Sequence, residues 1–496
     1  MSRPFSQQLG EALHADPGAP SLDYRGRIFT KGEIAELADR TLALLDQAEI
    51  PRGAAIGVVV RNRPLHAAAM LGLIAGDRWL TTIYAMQSAQ AIAEELRESG
   101  FAAVIADVAD WSPEVVAAAA EVGTLGLRLD LDAESQIDIM SGLDIGGPGP
   151  FRRVEGEPGL EILSSGTTGK PKRIVFPSRM LVRMVESVMA GRNATIEPDI
   201  LTWPYGGIGG MCALVASVML GRYTALLEKF TVDQWVEAVE RLKPRLVSGV
   251  PTMARMILDA RIDPARLSSV EYFYGGSAPM PVQLQDEFER TYGIDVIWAY
   301  GATEFCGTII SWSPALHTEY RHSKAGAMGR ALPGISLRAV DMETGAPLAD
   351  GGEGYLEARV PMVSDDWIRT TDIVTIDADG FVFHHGRGDG AIIRGGYKVL
   401  PEKVAEVLLS HPGVLDAAVV GVTDARLGQA PFAAVELVAD ADPLDESQLM
   451  AHLRVRLTQP QIPVAIRILS ALPRTTSLKV DLGALRAMFE TVGTEG

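Results

Sequence analysis

The chain has 496 residues, a formal net charge of −18 and two cysteines. A chain of this length exceeds what one hydrophobic core can hold, so two or more domains are expected. The acidic balance argues against a nucleic-acid-binding protein, which needs a basic face, and two cysteines are too few for a disulfide framework. Because the sequence shows no signal-type apolar core and no apolar run near the roughly twenty residues of a membrane span, a cytoplasmic enzyme is expected.

The amino-terminal part of the chain alternates helices with apolar strands. A helix is predicted over 29–45, because Thr30 can cap it and Glu33 follows three residues later. The next predicted elements are a strand at 54–60, a helix at 65–73, a strand at 79–83, a helix at 89–98 and a strand at 102–105. Strands that alternate with helices indicate an α/β architecture with parallel, doubly wound sheets.

A polar loop between an apolar run that ends at Leu163 and a strand predicted at 174–176 concentrates hydroxyls, glycines and lysines. Its residues are Ser164, Ser165, Gly166, Thr167, Thr168, Gly169, Lys170, Pro171, Lys172 and Arg173. Glycines admit backbone N–H groups close to an anion, hydroxyls donate hydrogen bonds and lysines supply charge, so the composition suits a polyphosphate. The spacing excludes a Walker A loop, because Ser164 stands where that motif needs glycine and Pro171 follows Lys170.

This loop resembles the phosphate loop of the acyl-adenylate-forming superfamily, which contains acyl-CoA synthetases, adenylation domains of peptide synthetases and firefly-type luciferases. The family pattern is roughly T/S-S-G-T-T-G-x-P-K-G, and the chain departs from it only at Arg173. The resemblance implies that the loop binds the phosphates of ATP, with Thr167, Thr168 and Lys172 neutralising and orienting the reacting groups. It further predicts a ribose-binding group, a magnesium ligand and a second lysine elsewhere in the chain.

After a helix predicted over 179–190, the segment 201–210 combines aromatic residues with glycines, which are Trp203, Tyr205, Gly206, Gly207, Gly209 and Gly210. Relatives carry an aromatic residue or a histidine here, beside the acyl substrate, and this segment contains no histidine. The glycines either shape a turn before a helix predicted over 211–220 or leave room for a bulky or ring-bearing carboxylic acid. Gly249, in the strand that begins at Leu246, is assigned to the same substrate pocket.

Two segments that follow predicted strands complete the nucleotide site that the resemblance implies. The strand at 270–274 leads into Gly275-Gly276-Ser277-Ala278-Pro279-Met280, which resembles the family's G-(A/S)-P segment along the adenine. The strand at 296–299 leads into Tyr300-Gly301-Ala302-Thr303-Glu304, which matches the family's Y-G-x-T-E. The carboxyl ends of strands are where α/β sheets bind ligands. By resemblance, Tyr300 lies on the adenine face, Thr303 contacts the α-phosphate and Glu304 binds Mg²⁺, a hard cation that suits a carboxylate.

Short strands and turns from 326 to 386 predict a small antiparallel, β-barrel-like subdomain. Within it, Asp372 ends a segment that resembles the family's R-T-G-D, with Thr371 at the glycine. The resemblance assigns Asp372 to both ribose hydroxyls, a task that suits a carboxylate with two oxygens. In the segment that follows, Gly390 stands where relatives carry a second aspartate; the resemblance assigns Arg387 to the ribose or phosphate and Asp389 to a hinge.

The rest of the chain predicts a mobile α+β domain at 391–496, joined by a hinge at 387–390 to an amino-terminal domain at 1–386 that binds ATP and the acid. The segment Arg394-Gly395-Gly396 resembles acyl-CoA synthetases, in which the Gly-Gly backbone approaches the thiol-bearing arm of CoA. Near the end, Lys479 is in register with the lysine of the family's P-(K/R)-T-x-x-G-K, and Leu478 replaces the glycine. The resemblance assigns Lys479 to adenylation.

The resemblance predicts an AMP-forming carboxylate:CoA ligase that joins a carboxylic acid to ATP as acyl-AMP, with Mg²⁺, and transfers the acyl group to CoA. One alternative is an adenylation-only enzyme that hands acyl-AMP to a carrier protein or partner ligase, because Thr371, Gly390 and Leu478 depart from the family at the hinge and lysine loop. The other is a nucleotide- or acid-binding protein without catalysis. A metalloenzyme is not favoured, since His384 and His385 would point to opposite faces of a strand. The acid and the oligomeric state, including a homodimer, stay open.

Overall fold

The structure is a computed structural model of the chain. The residues that it describes are 3–144, 151–153, 156–163, 173–189, 198–361, 363–394, 397–424, 427–439, 443–475 and 478–490. Across these ranges, no helix is both long enough and apolar enough to cross a lipid bilayer.

The α-helices of these ranges are α1 Phe5–His14, α2 Lys31–Gln47, α3 Pro64–Ala75, α4 Ala89–Ser99, α5 Pro113–Glu121, α6 Val182–Met189, α7 Ile208–Met219, α8 Val232–Leu242, α9 Pro251–Asp259, α10 Val282–Tyr292, α11 Pro314–Tyr320, α12 Pro401–Leu409, α13 Glu446–Arg454 and α14 Leu482–Glu490. The strands are β1 Pro20–Tyr24, β2 Arg27–Thr30, β3 Ala55–Val60, β4 Trp79–Tyr84, β5 Ala103–Asp107, β6 Leu125–Leu129, β7 Ile137–Ile139, β8 Gly159–Leu163, β9 Arg173–Pro177, β10 Asp199–Leu201, β11 Thr224–Leu226, β12 Leu246–Gly249, β13 Tyr272–Gly275, β14 Asp295–Ala302, β15 Gly307–Ser311, β16 Arg330–Ala331, β17 Ser336–Val340, β18 Gly354–Arg359, β19 Ile368–Ile376, β20 Val382–Arg387, β21 Ile392–Arg394, β22 Tyr397–Val399, β23 Val414–Asp424, β24 Gly428–Leu437 and β25 Ile466–Leu469.

The largest sheet has the strand order β7-β6-β5-β3-β4-β8-β9, with parallel pairing from β6 to β8. Strand β3 is apolar and fully buried, as expected for a parallel strand covered on both faces. Strands β8 and β9 form an antiparallel pair in which Leu163 faces Arg173. The predicted phosphate loop therefore joins two neighbouring strands at one edge of this sheet.

A second sheet has the order β12-β13-β14-β15-β16, and its first three strands are parallel. The sequence pattern placed the end of β14 at Ala299, whereas the strand runs on to Ala302 by pairing antiparallel with β15. A side chain at Gly301 would collide with the carbonyl of Gly307, so the glycine permits this close pairing. Tyr300 therefore stands on a strand rather than in a turn.

The subdomain predicted to be barrel-like is a four-stranded antiparallel sheet in the order β17-β18-β19-β20. A separate sheet follows, in the order β22-β21-β24-β23, with β25 beside β24 and apolar side chains of α12 and α13 packed against it. Strand β20 ends at Arg387 and β21 begins at Ile392, so the predicted hinge at 387–390 begins on the last residue of one sheet and continues into the connection to the other. A fifth sheet in the described ranges has the order β10-β11-β1-β2.

Candidate active site

Tyr300 and Asp372, which are 72 residues apart, meet where β14 approaches β19. The Tyr300 hydroxyl donates a hydrogen bond of 2.6 Å to Asp372 Oδ2, and His384 Nε2 lies 3.2 Å from Asp372 Oδ1. Burial alone would raise the pKa of Asp372, but the hydrogen bonds with His384 and Tyr300 outweigh it and hold this pKa below its usual value. The carboxylate is therefore a fixed, charged acceptor.

His384 is a site residue that the sequence analysis missed. Its neighbour His385 points elsewhere and contacts Thr375 Oγ1 at 3.1 Å, so the prediction that the two rings diverge is confirmed. Only His384 reaches Asp372, because β19 pairs with β20 and a register shift in that pair brings Val374 opposite His384. The sequence signal that could have found this contact is the Asp379-Gly380 turn, because a turn between two short strands predicts that they pair antiparallel.

Arg387 lies beside the same carboxylate. It donates to Asp389 through two nitrogens, at 2.9 and 2.7 Å, and to Thr371 Oγ1 at 2.8 Å. Burial alone would lower the pKa of Arg387, but the Asp389 pair outweighs it and raises this pKa. Thr371, which replaces the family's glycine, stands in extended strand β19 and holds Arg387. We call Tyr300, Asp372, His384 and Arg387 the nucleotide cluster.

Lys479, in the carboxyl-terminal region, is influenced by the charge of Arg387 in this cluster. It is half-buried, and burial lowers the pKa of its ammonium group, with the positive charge of Arg387 lowering it further. The preceding Leu478 has a φ of +61°, a left-handed conformation that glycine adopts without strain. The leucine therefore takes the backbone shape that the family's glycine suggests.

Thr303 and Glu304 begin a short 3₁₀ helix directly after β14. Glu304 is exposed, and its charge contributes to the raised pKa of Tyr300, after burial and Asp372. Within the described ranges, no group of three or more His, Cys, Asp or Glu side chains could hold a metal ion. A single exposed carboxylate nevertheless fits Mg²⁺, which takes one or two carboxylates and completes its shell with phosphate oxygens and water.

The segment predicted to lie along the adenine is the neighbour of β14. Trp298 Nε1 donates a hydrogen bond of 3.0 Å to the carbonyl of Ala278, and a side chain at Gly276 would come within 2.6 Å of the Ala299 carbonyl. Ser277 has a φ of +71°. Gly276, Ser277, Ala278 and Pro279 therefore run close beside the strand that carries Tyr300.

The predicted substrate segment is fixed by Asn62, a buried residue that the sequence analysis did not single out. Asn62 Nδ2 donates to the Trp203 carbonyl at 2.9 Å, and its Oδ1 accepts from the backbone N–H of Tyr205 at 2.9 Å. The Trp203 indole donates to Ser248 Oγ at 3.1 Å. Tyr205 is fully buried in the hydrophobic core, where burial raises the pKa of its hydroxyl.

The glycines assigned to the substrate pocket differ in their surroundings. A Cβ at Gly207 would have its nearest neighbour, the Pro204 carbonyl, at 3.7 Å, which is an ordinary van der Waals contact. At Gly206 a side chain would press on the Tyr84 ring at 3.0 Å, and at Gly249 it would meet Phe273 at 2.8 Å. Gly209 and Gly210, for which the sequence left a turn and room for the acid as alternatives, lie inside α7, which begins at Ile208. Close packing therefore explains Gly206 and Gly249, whereas packing does not require a glycine at position 207.

A buried carboxylate supports the strands on either side of the phosphate loop. Glu161 on β8 accepts hydrogen bonds from Arg152 at 3.0 and 2.7 Å and from the Thr81 hydroxyl at 2.8 Å. Arg173, which replaces the family's glycine, lies 3.5 Å from Glu161 and also pairs with Glu95 on α4. The loop residues Ser164, Ser165, Gly166, Thr167, Thr168, Gly169 and Lys172, together with Gly395 and Gly396, lie outside the described residues.

Two protein-family models match the chain, one described as AMP-binding enzyme over residues 9–365 and one as AMP-binding enzyme C-terminal domain over residues 403–479. The chain is 26% identical to a 2-succinylbenzoate–CoA ligase of Bacillus pumilus (strain SAFR-032), over 96% of each chain. It resembles the solved structure of ATP-bound MatB from Rhodopseudomonas palustris, with a TM-score of 0.83, 23% identity and coverage of 99% of this chain and 100% of that one. It also resembles o-succinylbenzoate CoA synthetase (MenE) from Bacillus subtilis with its acyl-adenylate intermediate, with a TM-score of 0.78, 23% identity and 98% of each chain covered.

The chain belongs to the AMP-binding enzyme family, because the first model matches well over half of its length. Within that family it is an AMP-forming acid–CoA ligase, which uses ATP and CoA and acts on a small-molecule carboxylate. The fold class, the superfamily and the ligase activity predicted from the sequence are thereby confirmed. The roles of individual residues and the domain boundaries stay predictions.

Proposed function

We propose that this ligase activates a bulky, ring-bearing carboxylic acid, and that the nucleotide cluster and Lys479 divide the work on ATP. The observation that carries the proposal is the direct contact of Tyr300 with Asp372 at 2.6 Å, with Arg387 paired opposite Asp372 across β19 and β20. The charge of Arg387 also lowers the pKa of Lys479, which comes from the end of the chain.

The nucleotide cluster suits the adenosine part of ATP. The Tyr300 ring offers a face for adenine, and both oxygens of Asp372 can accept ribose hydroxyls. An ionised carboxylate has about four acceptor positions, so ribose can bind while Tyr300 and His384 keep their contacts. These existing contacts orient the carboxylate before ATP arrives, which lowers the cost of binding.

The adenylation step brings two anions together, because the carboxylate of the acid attacks the α-phosphorus of ATP. The bond from that phosphorus to the acid oxygen forms, and the bond to pyrophosphate breaks. Lys479, with Lys172 of the phosphate loop, neutralises the charge that develops, and Thr303 donates to the α-phosphate. Glu304 would hold Mg²⁺, which supplies charge neutralisation at the phosphates when bound.

The thioester step requires Lys479 to leave, so that the thiol of CoA can reach the acyl-AMP and displace AMP. We assign this movement to the hinge at 387–390, where Arg387, the last residue of β20, pairs with Asp389. Rotation there carries the carboxyl-terminal domain as a unit and brings Gly395 and Gly396 towards the arm of CoA. Glycines at 386, 388 and 390 support large changes of backbone angle.

The shape of the acid is supported by two independent observations. The curated relative of Bacillus pumilus is named for 2-succinylbenzoate, an acid that carries a benzene ring. In this chain, a Cβ at Gly207 would meet nothing closer than 3.7 Å, so packing does not require a glycine there, and we infer that the missing side chain leaves room for the acid.

The experiment that tests the proposal separates the two half-reactions. ATP–pyrophosphate exchange and thioester formation are measured with 2-succinylbenzoate, benzoate, a polycyclic acid and short aliphatic acids. Exchange and thioester with ring-bearing acids, and little with aliphatic ones, are expected, and a Gly207→Leu variant should lose the ring-bearing acids first. Preference for a short aliphatic acid would contradict the proposed substrate class. Exchange without thioester would favour transfer to a carrier protein or partner ligase.

The same proposal places the enzyme in the cytoplasm, the compartment that its cysteines suit. Cys212 and Cys306 are both buried and free, as is common where thiols stay reduced. Fractionation of cells checks the location. Size-exclusion chromatography with light scattering distinguishes a monomer from the homodimer left open by the sequence.

A further inference from the structure

Thr252 joins the amino-terminal domain to the segment that carries Lys479. It is the second residue of α9 and is half-buried. Its hydroxyl donates a hydrogen bond of 2.9 Å to the Leu478 carbonyl and accepts one of 3.2 Å from Arg474 Nη1. One small side chain therefore contacts the residue before the lysine and a second residue of the same turn.

Residues 474–475 and 478–480, which we call the lysine turn, are joined by backbone hydrogen bonds. The N–H of Thr475 donates to the Lys479 carbonyl at 2.7 Å, and the N–H of Leu478 donates to the Thr475 carbonyl at 2.9 Å. Arg474 and Val480 face each other in an isolated β-bridge. Because Lys479 lies inside this turn, a contact that orients the turn also orients the backbone of Lys479.

The backbone at Leu478 makes external support of the turn more important. A leucine at a φ of +61° is strained, and such residues persist where their surroundings hold them. The carbonyl of Leu478, the strained residue, accepts the hydrogen bond from the Thr252 hydroxyl. Thr252 thus contacts the turn at its strained residue.

Arg474 extends the contact into the carboxyl-terminal sheet. Its Nη2 donates to Asp416 Oδ2 on β23 at 2.6 Å and lies 3.5 Å from Glu436 Oε1 on β24. A continuous chain of hydrogen bonds therefore runs from α9 through Thr252 and Arg474 to the body of the carboxyl-terminal domain. Hydrogen bonds with charged partners are the stronger kind, so Arg474 is fixed chiefly on its own domain.

We propose that Thr252 is a positioning residue that holds the lysine turn in the adenylation orientation and releases it for the thioester step. This inference rests on the proposed function, because it requires Lys479 to be the adenylation lysine. A hydroxyl suits the task. It holds the turn by hydrogen bonds that water can replace when the domain rotates, whereas a buried ion pair at this place would oppose release.

The test compares two variants of the full-length enzyme. Thr252→Val keeps the shape of the side chain and removes the hydroxyl, and Thr252→Ser keeps the hydroxyl. We expect Thr252→Val to lower the rate of acyl-AMP formation about tenfold, measured by single-turnover kinetics and pyrophosphate exchange, with the KM for ATP little changed. Thioester formation from supplied acyl-AMP and CoA should stay equal to that of the wild type or become faster, and Thr252→Ser should retain adenylation.

A matched control is Thr291→Val on α10, because the Thr291 hydroxyl donates to the Glu287 carbonyl of its own helix at 2.7 Å. This variant should leave both half-reactions unchanged. Thermal unfolding of each variant shows whether the fold is intact. An equal fall in both half-reactions, wild-type adenylation in Thr252→Val, or a Thr252→Ser variant as impaired as Thr252→Val would each overturn the proposal.

Lys479→Ala separates failure of this inference from failure of the proposed function. If Lys479→Ala keeps pyrophosphate exchange, the assignment of the lysine is wrong and the role of Thr252 falls with it. If Lys479→Ala loses exchange while Thr252→Val keeps it, the proposed function stands and only the positioning role of Thr252 is wrong.

Discussion

The nucleotide cluster and the lysine turn, which we propose to serve the same reaction, are built differently. The cluster stands on strands of two sheets, and the Asp372 carboxylate is held by contacts of 2.6 and 3.2 Å to Tyr300 and His384. The lysine turn meets the amino-terminal domain through the Thr252 hydroxyl. The difference indicates a division of labour. In the proposed function, the groups that bind the nucleotide are held by hydrogen bonds on paired strands, and the cation needed for only one half-reaction is carried on a segment of the other domain.

The largest effect is expected from removing that cation. Lys479→Ala should lower the rate of acyl-AMP formation roughly 10²–10³-fold, because a positioned charge that stabilises the transition state is lost. Thioester formation from supplied acyl-AMP should change little, since Lys479 has left the site by then. Single-turnover assays of each half-reaction measure this, with Lys229→Ala at an exposed position as the control. Equal losses in both half-reactions would contradict the prediction that Lys479 acts in acyl-AMP formation alone.

The second prediction concerns Glu161, the buried carboxylate on β8 that pairs with Arg152 and Arg173. Glu161→Ala leaves Arg152 and Arg173 without their shared partner, and the free energy of unfolding should fall by about 2–3 kcal/mol. The control is Glu271→Ala, which removes an exposed pair with Arg245 and should cost below about 1 kcal/mol. Urea unfolding measures both variants. Similar losses at the two sites would show that the buried pairs of Glu161 stabilise the fold no more than an exposed pair does.

Asp372→Asn tests the nucleotide cluster itself. The amide keeps the shape but loses the charge and half of the acceptor capacity, so the KM for ATP in pyrophosphate exchange should rise about tenfold with a smaller change in kcat. His384→Ala should have a weaker effect of the same kind, because the ring only orients the carboxylate. A lower kcat with an unchanged KM would indicate that Asp372 acts in the chemical step rather than in ATP binding.

The smallest expected effect is a shift in the pH dependence of pyrophosphate exchange. Burial and Arg387 lower the pKa of Lys479, and only the protonated amine supplies the cation. The kcat/KM of exchange should therefore be maximal below this pKa and fall as pH rises through it, at a pH below that of an ordinary lysine. Lys479→Arg should shift the alkaline limb upwards, because a guanidinium stays charged. A limb that is unchanged in Lys479→Arg would belong to another group.

The sequence predicted the architecture because local pattern carries it. Alternating apolar strands and helices indicated doubly wound sheets, and the capping box predicted at Thr30 and Glu33 is present, with hydrogen bonds of 3.1 and 2.7 Å. Motifs at strand ends also predicted that Tyr300 and Asp372 serve one nucleotide, which their direct contact supports. These predictions depend on the spacing of residue types within short segments, and that spacing is written in the chain itself.

Only the tertiary structure decided which side chains meet across long separations. The contact of His384 with Asp372 depends on a register shift between two strands, and the contact of Thr252 with Leu478 joins residues 226 positions apart. The sequence also could not distinguish the roles of the glycines. Close packing requires the glycine at 249 but not the one at 207, and the residue type is the same at both positions. Contacts of this kind follow from how sheets and helices pack on one another, and no local periodicity records that packing.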